Sequence, residues 1–197
     1  MTTTTSTTTS TTTSTASHRL WTRLAAGSLV AGIALLGAPA YAESMSAGDP
    51  ADATASLYDI RKVSANHQDT KLVVEVKVTD LLLDSDGGPA SMSLFIDTDR
   101  SQAGPELRLG TGLQTGTDYQ LVRMKNWRAV GEPLTCGHKV KLVADKDTVR
   151  FRVNAGCLGS PDELRVGVKM VDLWDGSHPV RDWFKGVRHW TRWLDRG

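Results

Sequence analysis

No apolar run in these 197 residues is long enough to cross a membrane: Leu24 to Gly37 falls short of the roughly 20 residues a spanning helix needs. An excess of charge is lacking too. Beyond residue 42 the chain carries 21 basic and 22 acidic residues, so no net field argues for nucleic acid or an anionic membrane. Catalytic signatures are missing, with neither G-x-S-x-G nor H-E-x-x-H present. His67, His138, His178 and His189 are scattered, which disfavours zinc and haem ligation and places histidines at the surface. Asp175, Ser177 and His178 adjoin in sequence, but D-G-S-H-P is ordinary turn composition. A non-enzymatic protein is the expectation, and a hydrolase is the least favoured reading.

What is present begins with a leader. Residues 1–17 are almost wholly Thr and Ser and cannot build a core, so disorder is expected there. His18 to Arg23 adds positive charge, the apolar run follows, and Ala40-Tyr41-Ala42 is a small-x-small site. That order predicts a secretory signal peptide over 18–42, cleaved after Ala42, and hence a secreted product. Residues 43–56 read as a flexible lead-in, and 57–197 as a single domain.

From Leu57 onward the period is two. Lys71 to Thr79 alternates most clearly, with Leu72, Val74, Val76 and Val78 on one side. Asp59–Ala65, Ser91–Asp97, Asp118–Met124 and Trp127–Val130 read as further strands, and Leu164, Val166, Val168 and Met170 as another. Ser160-Pro161-Asp162-Glu163 has the composition of a helix start and predicts one helical turn near 160–163. A last strand is expected near Val187 to Leu194. About nine short strands with almost no helical period predict an all-β fold, an antiparallel β-sandwich of jelly-roll or immunoglobulin-like kind. A monomer is expected.

Export makes a disulfide between Cys136 and Cys157 the default. Lys139 to Val153 reads as a hairpin, and a turn centred on Lys146-Asp147 would set Leu142 opposite Phe151, Val140 opposite Val153 and Cys136 opposite Cys157.

Two constellations could carry function. Asp97, Asp99 and Glu106 end a strand and line a loop, so they could supply oxygens to calcium, with Asp84 and Asp86 near enough in sequence to add more. The same aspartates would otherwise cap turns. Trp174, Trp183, Trp190 and Trp193 crowd the C-terminal part, with Trp127 upstream, and flat rings suit sugar faces. Core packing is the commoner fate of such rings, and on a strand Trp190 and Trp193 would face opposite ways. The basic residues Arg181, Lys185, Arg188, Arg192 and Arg196 are interleaved with acids and read as a solvated face.

The order D-I-R-K-V-S at 59–64, F-I-D-T-D at 95–99, G-P-E at 104–106, C-L-G-S-P at 157–161 and D-W-F-K-G at 182–186 resembles an uncharacterised family of small secreted actinobacterial β-sandwich proteins. The I-D-T-D strand end is also similar to the DOMON and family-9 carbohydrate-binding-module sandwiches. That second likeness implies sugar or haem binding and structural calcium. An extracellular binding module for a glycan or other surface ligand is therefore the expectation. A protein-interaction or inhibitor-type domain is the alternative.

Overall fold

The computed structural model describes residues 42–84, 89–173 and 178–197. The leader and the apolar run therefore lie outside the described residues, as do Asp86, Trp174, Asp175 and Ser177. Twelve strands are found among the described residues: β1 Glu43–Gly48, β2 Ile60–Gln68, β3 Lys71–Val78, β4 Ala90–Asp97, β5 Leu107–Gly112, β6 Tyr119–Lys125, β7 Arg128–Val130, β8 His138–Val143, β9 Thr148–Asn154, β10 Glu163–Asp172, β11 Val180–Trp183 and β12 Leu194–Asp195. They form two antiparallel sheets. The first runs β1-β2-β3-β9-β8 and the second β11-β10-β4-β5-β6-β7, with β12 added to β10.

Alternation dictates how the sheets meet. Leu72, Val74, Val76 and Val78 of β3 are fully buried, as are Val149, Phe151 and Val153 of β9. They share one core with Met92, Leu94 and Ile96 of β4 and with Leu164, Val166, Val168 and Met170 of β10. Two inner faces interdigitating in this way make an all-β sandwich. Each buried aliphatic contributes roughly 1.5–3 kcal/mol before conformational entropy is set against it.

Four local expectations are corrected. Residues 43–48 are not a loose lead-in but strand β1, paired with β2 from Glu43↔His67 to Gly48↔Lys62. The strand holds because Met45 and Ala47 pack on the core and the Glu43 carboxylate accepts from the Asp195 amide at 2.7 Å and pairs with Arg192.

The helical turn falls at Ala155–Leu158 (α1), not at 160–163. Gly159 ends it in the left-handed conformation, and Ser160 (φ 53°) is left-handed too, so that serine cannot take the extended backbone of an N-cap.

In the hairpin, Val140 faces Phe151 and Leu142 faces Val149, two residues off the predicted register. A 3₁₀ turn over Ala144–Lys146, closed by left-handed Asp147, takes up the difference. The two-residue shift leaves every side chain on its expected face. The disulfide is present, with the Cys136 and Cys157 Cα atoms 5.7 Å apart, but it joins the approach to β8 with α1 beyond the end of β9 rather than a directly opposed pair.

Of the strand predicted near Val187 to Leu194 only Leu194 pairs in a ladder, together with Asp195 just beyond it. Left-handed residues Lys185 and Arg188 break the extended path before it.

Candidate functional site

The acidic strand end turns inward on itself. Asp97 is fully buried, and its Oδ2 accepts from Arg165 Nε at 2.8 Å and lies 2.7 Å from Nη2. Its Oδ1 accepts from the Asp99 amide at 3.2 Å. The Asp99 carboxylate accepts from the Ser101 amide and hydroxyl and from the Gln102 side chain, and these bonds hold its pKa below the ordinary value. Glu106 Oε2 accepts from the Thr98 amide at 2.7 Å, while burial pushes its pKa up. Each carboxylate is thus committed to donors of the protein. The three do not converge as a ligand set among the described residues; in this arrangement they brace the loop 97–106.

Among the described residues, the one trio of metal-ligating side chains that does converge is Asp49, Asp52 and Asp182, with oxygens within 4.8 Å of one another. By spacing it could ligate a cation. Sequence reasoning missed it because Asp182 comes from β11, far along the chain. Asp49 and Asp182 are buried. Asp49 accepts from the Lys185 amide at 2.8 Å and Asp182 from the Ile60 amide at 2.7 Å, so both tie the 49–60 loop to the C-terminal part. Burial, reinforced by the neighbouring aspartates, pushes Asp182 up to about 6.

The tryptophans form a layer on the outer face of the second sheet. Phe95 of β4 stacks on Trp183 of β11 with centroids 5.4 Å apart, and Trp127 meets Phe95, Trp183 and Trp190 at 5.2, 5.9 and 5.4 Å. Val122 and Met124 pack with them. Cations cover the rings: Arg165 lies 5.0 Å from the Trp190 centroid and 4.7 Å from that of Trp193, Arg100 4.4 Å from Trp193, and Arg188 4.8 Å from Trp127. Trp190 and Trp193 flank one guanidinium because the segment is not a strand, so the argument from opposite parity does not hold. Trp127, Trp183 and Trp190 pack, half-buried, against a second small core of Phe95, Val122 and Met124, while Trp193 is half-buried and contacted by the Arg100 and Arg165 guanidiniums. These contacts fasten the C-terminal segment over this sheet.

Of the basic C-terminal residues, Arg181, Lys185, Arg188 and Arg192 are exposed as expected, while Arg192 also pairs with Glu43 and Arg196 with Asp162. His67 is fully buried, against the surface expectation, with Nδ1 3.0 Å from the Leu194 carbonyl. Burial lowers its pKa.

The outer face of the first sheet presents two adjoining hollows. A groove of about 430 Å³ over β1, β2 and β3 is lined by Ser44, Ser46, Ser64, Asn66 and Gln68, and reaches Val73 and Glu75. A trough of about 280 Å³ over β3, β9 and β8 is lined by Lys71, Val73, Lys139, Lys141, Arg150 and Arg152. Val73 borders both, so hydroxyl and amide groups pass into a basic lane. The register sets Lys139 directly opposite Arg152 and Lys141 opposite Arg150. Lys62 and Lys77 stand opposite each other on the same face. Glu75 is the one carboxylate borne by these strands on this face, and it pairs with Arg150.

No protein-family model matches the chain, and no curated protein matches it.

Proposed function

We propose that this protein is an exported, non-enzymatic binding module whose ligand is a linear polymer rich in hydroxyls and carrying anionic groups, held on the outer face of the first sheet. The observation that carries this reading is the placement of like charges. Two cross-strand pairs put cations directly opposite each other: Lys141 with Arg150, which shares the one carboxylate of Glu75, and Lys139 with Arg152, which has no carboxylate partner among the described residues, an arrangement that costs stability unless an anion lies between them. A near-neutral domain has gathered its cations where folding alone disfavours them. The neighbouring serine, asparagine and glutamine groups suit sugar or polyol hydroxyls. No ring lines either hollow, so base stacking does not recommend single-stranded nucleic acid. A recessed lane takes a chain, whereas a planar bilayer would touch only its rim.

The test is titration of the oxidised domain with an acidic polysaccharide, polygalacturonate, and with neutral dextran as control. Binding is expected to polygalacturonate alone, to weaken steeply with salt, and to fall at least tenfold in Lys139→Glu/Lys141→Glu. Equal binding of dextran, or no loss in that variant, would overturn the proposal.

A further inference from the structure

A second group of cations lies on the opposite side of the sandwich, away from the lane just described. In one row across the outer face of the second sheet, Trp183 of β11 stands opposite Lys169 of β10, Lys169 opposite Ser93 of β4, and Ser93 opposite Gly110 of β5. Gly110 has no side chain to fill the row. A Cβ placed there would meet only Arg108 Nε and Ser93 Oγ, each at 3.8 Å. Arg108 Nε is shut off from water and has no hydrogen-bond acceptor. Such a buried, unmet donor is unfavourable, and more so where the group is charged.

Arg108 and Lys169 border this opening, and Arg181 stands two residues along β11 from Trp183, opposite Val171. Lys169 is half-buried, and its pKa is lowered first by burial and then by the charges of Arg181 and Arg108. Among the described residues none of the three forms an ion pair. The Lys169 ammonium instead lies 5.5 Å from the Trp183 ring centroid, and that ring is held from behind by Phe95. The Ser93 hydroxyl adds a neutral donor at the floor.

We infer that the opening bounded by Arg108, Lys169 and Ser93 binds a compact oxyanion, a phosphate or sulfate group, over Gly110. A tetrahedral oxyanion offers several acceptors at once. It gives the Arg108 guanidinium, which has no ion pair, an anionic partner and neutralises the repulsion between Lys169 and its two arginine neighbours. The group can be a free ion or the charged end of a sugar phosphate or sulfate.

The experiment follows thermal unfolding of the disulfide-intact domain against sodium phosphate and sodium sulfate, with sodium chloride at equal ionic strength. Glucose 6-phosphate beside free phosphate separates the esterified group from the ion. The same series is run on Lys169→Met and, as a control outside both sites, on Lys146→Met in the exposed 3₁₀ turn. Wild type and the control are expected to gain midpoint in a saturable way with phosphate or sulfate, beyond any chloride effect. Tryptophan fluorescence should change over the same range, because Trp183 abuts the site. Lys169→Met should lose at least tenfold in apparent affinity while melting no lower than wild type in the absence of the anion, since it removes a buried, repelled charge. A chloride response equal to that of phosphate would mean general screening and overturn the site. So would an unchanged phosphate response in Lys169→Met.

Discussion

Asp97 and Arg165 face each other directly across β4 and β10, and the fully buried carboxylate of Asp97 takes two guanidinium nitrogens on one oxygen. The same guanidinium lies between the Trp190 and Trp193 rings. One ion pair therefore joins the acidic loop, the second sheet and the C-terminal segment. Removing a single partner leaves the other buried and unpaired, which costs about 3–5 kcal/mol. Arg165→Met should destabilise by that order, and Asp97→Ala by somewhat less, because Arg165 retains partial access to water. Urea midpoints of the two variants and of the double variant measure this. If Asp97 acted instead as a calcium ligand, its replacement would abolish a calcium-dependent rise in stability; with its oxygens engaged as they are, calcium response should be equal in wild type and Asp97→Ala.

The Asp49, Asp52 and Asp182 trio predicts an inverted acid response. Asp182 is pushed up to about 6 from an ordinary value of 3.8, so the folded state holds its proton at pH values where the unfolded chain has released it. The stabilising contribution of the protonated acid is complete below about pH 3.8 and is lost as pH rises through about 6. Asp182→Asn should flatten this part of the profile while keeping an acceptor for the Ile60 amide. Denaturant unfolding from pH 4 to 7, in EDTA so that no cation replaces the proton, checks the sign. A wild-type profile that rises between pH 4 and 6 with the same slope as Asp182→Asn would contradict it.

The disulfide should contribute through the unfolded chain. Its cysteines are 21 residues apart, and closing a loop of that size is worth about 3 kcal/mol in the chain-entropy model. Reduction is expected to lower the urea midpoint by a corresponding amount without changing the β-sheet circular dichroism. The core shared by the two sheets does not depend on the bond.

Lys139→Glu separates binding from stability. Opposite Arg152, the new carboxylate turns a like-charge pair into an attractive one, worth about 0.2–1 kcal/mol. The variant should therefore melt slightly above wild type while losing affinity for an acidic polysaccharide. A substitution that merely damaged the sheet would lower both.

How far residues reveal structure depends on the reach of each interaction. The strands of the core were legible because alternation is local: Leu72 to Val78 declares its buried face without reference to anything else in the chain. Parity also survived where register did not, since a shift of two residues in the β8–β9 hairpin leaves Phe151 inside. β1 was hidden because Glu43 to Gly48 is short and polar, and its strand is completed by partners such as Asp195 and Arg192 near the other end of the chain. The basic lane was hidden for the same reason. Lys71, Lys139 and Arg152 become neighbours only once β3, β9 and β8 are side by side, and an overall charge near zero conceals a sheet face that is strongly positive. Packing is the favoured reading of the tryptophans, but sequence does not show which ring faces are occupied or by which neighbours.

Gly167 puts the role of the C-terminal layer to a direct test. This glycine lies on β10 opposite Phe95, and a Cβ added to it would stand 3.0 Å from the His189 carbonyl oxygen and 3.4 Å from the Trp190 ring. The carbonyl belongs to backbone and cannot turn aside as a flexible side chain would. Gly167→Ala should therefore push the 189–190 segment off the sheet. That would loosen Trp190 from Trp127 and the Arg165 guanidinium, and disturb the hydrogen bond from the Val166 amide to Thr191 Oγ1, now 2.9 Å. The expected result is a loss of about 1–3 kcal/mol, the range for overpacking. It should come with a red-shifted tryptophan emission and faster amide exchange confined to residues 184–197. An alanine variant as stable as wild type, with unchanged emission, would show that the segment rides on the sheet loosely and that the aromatic layer contributes little to holding it.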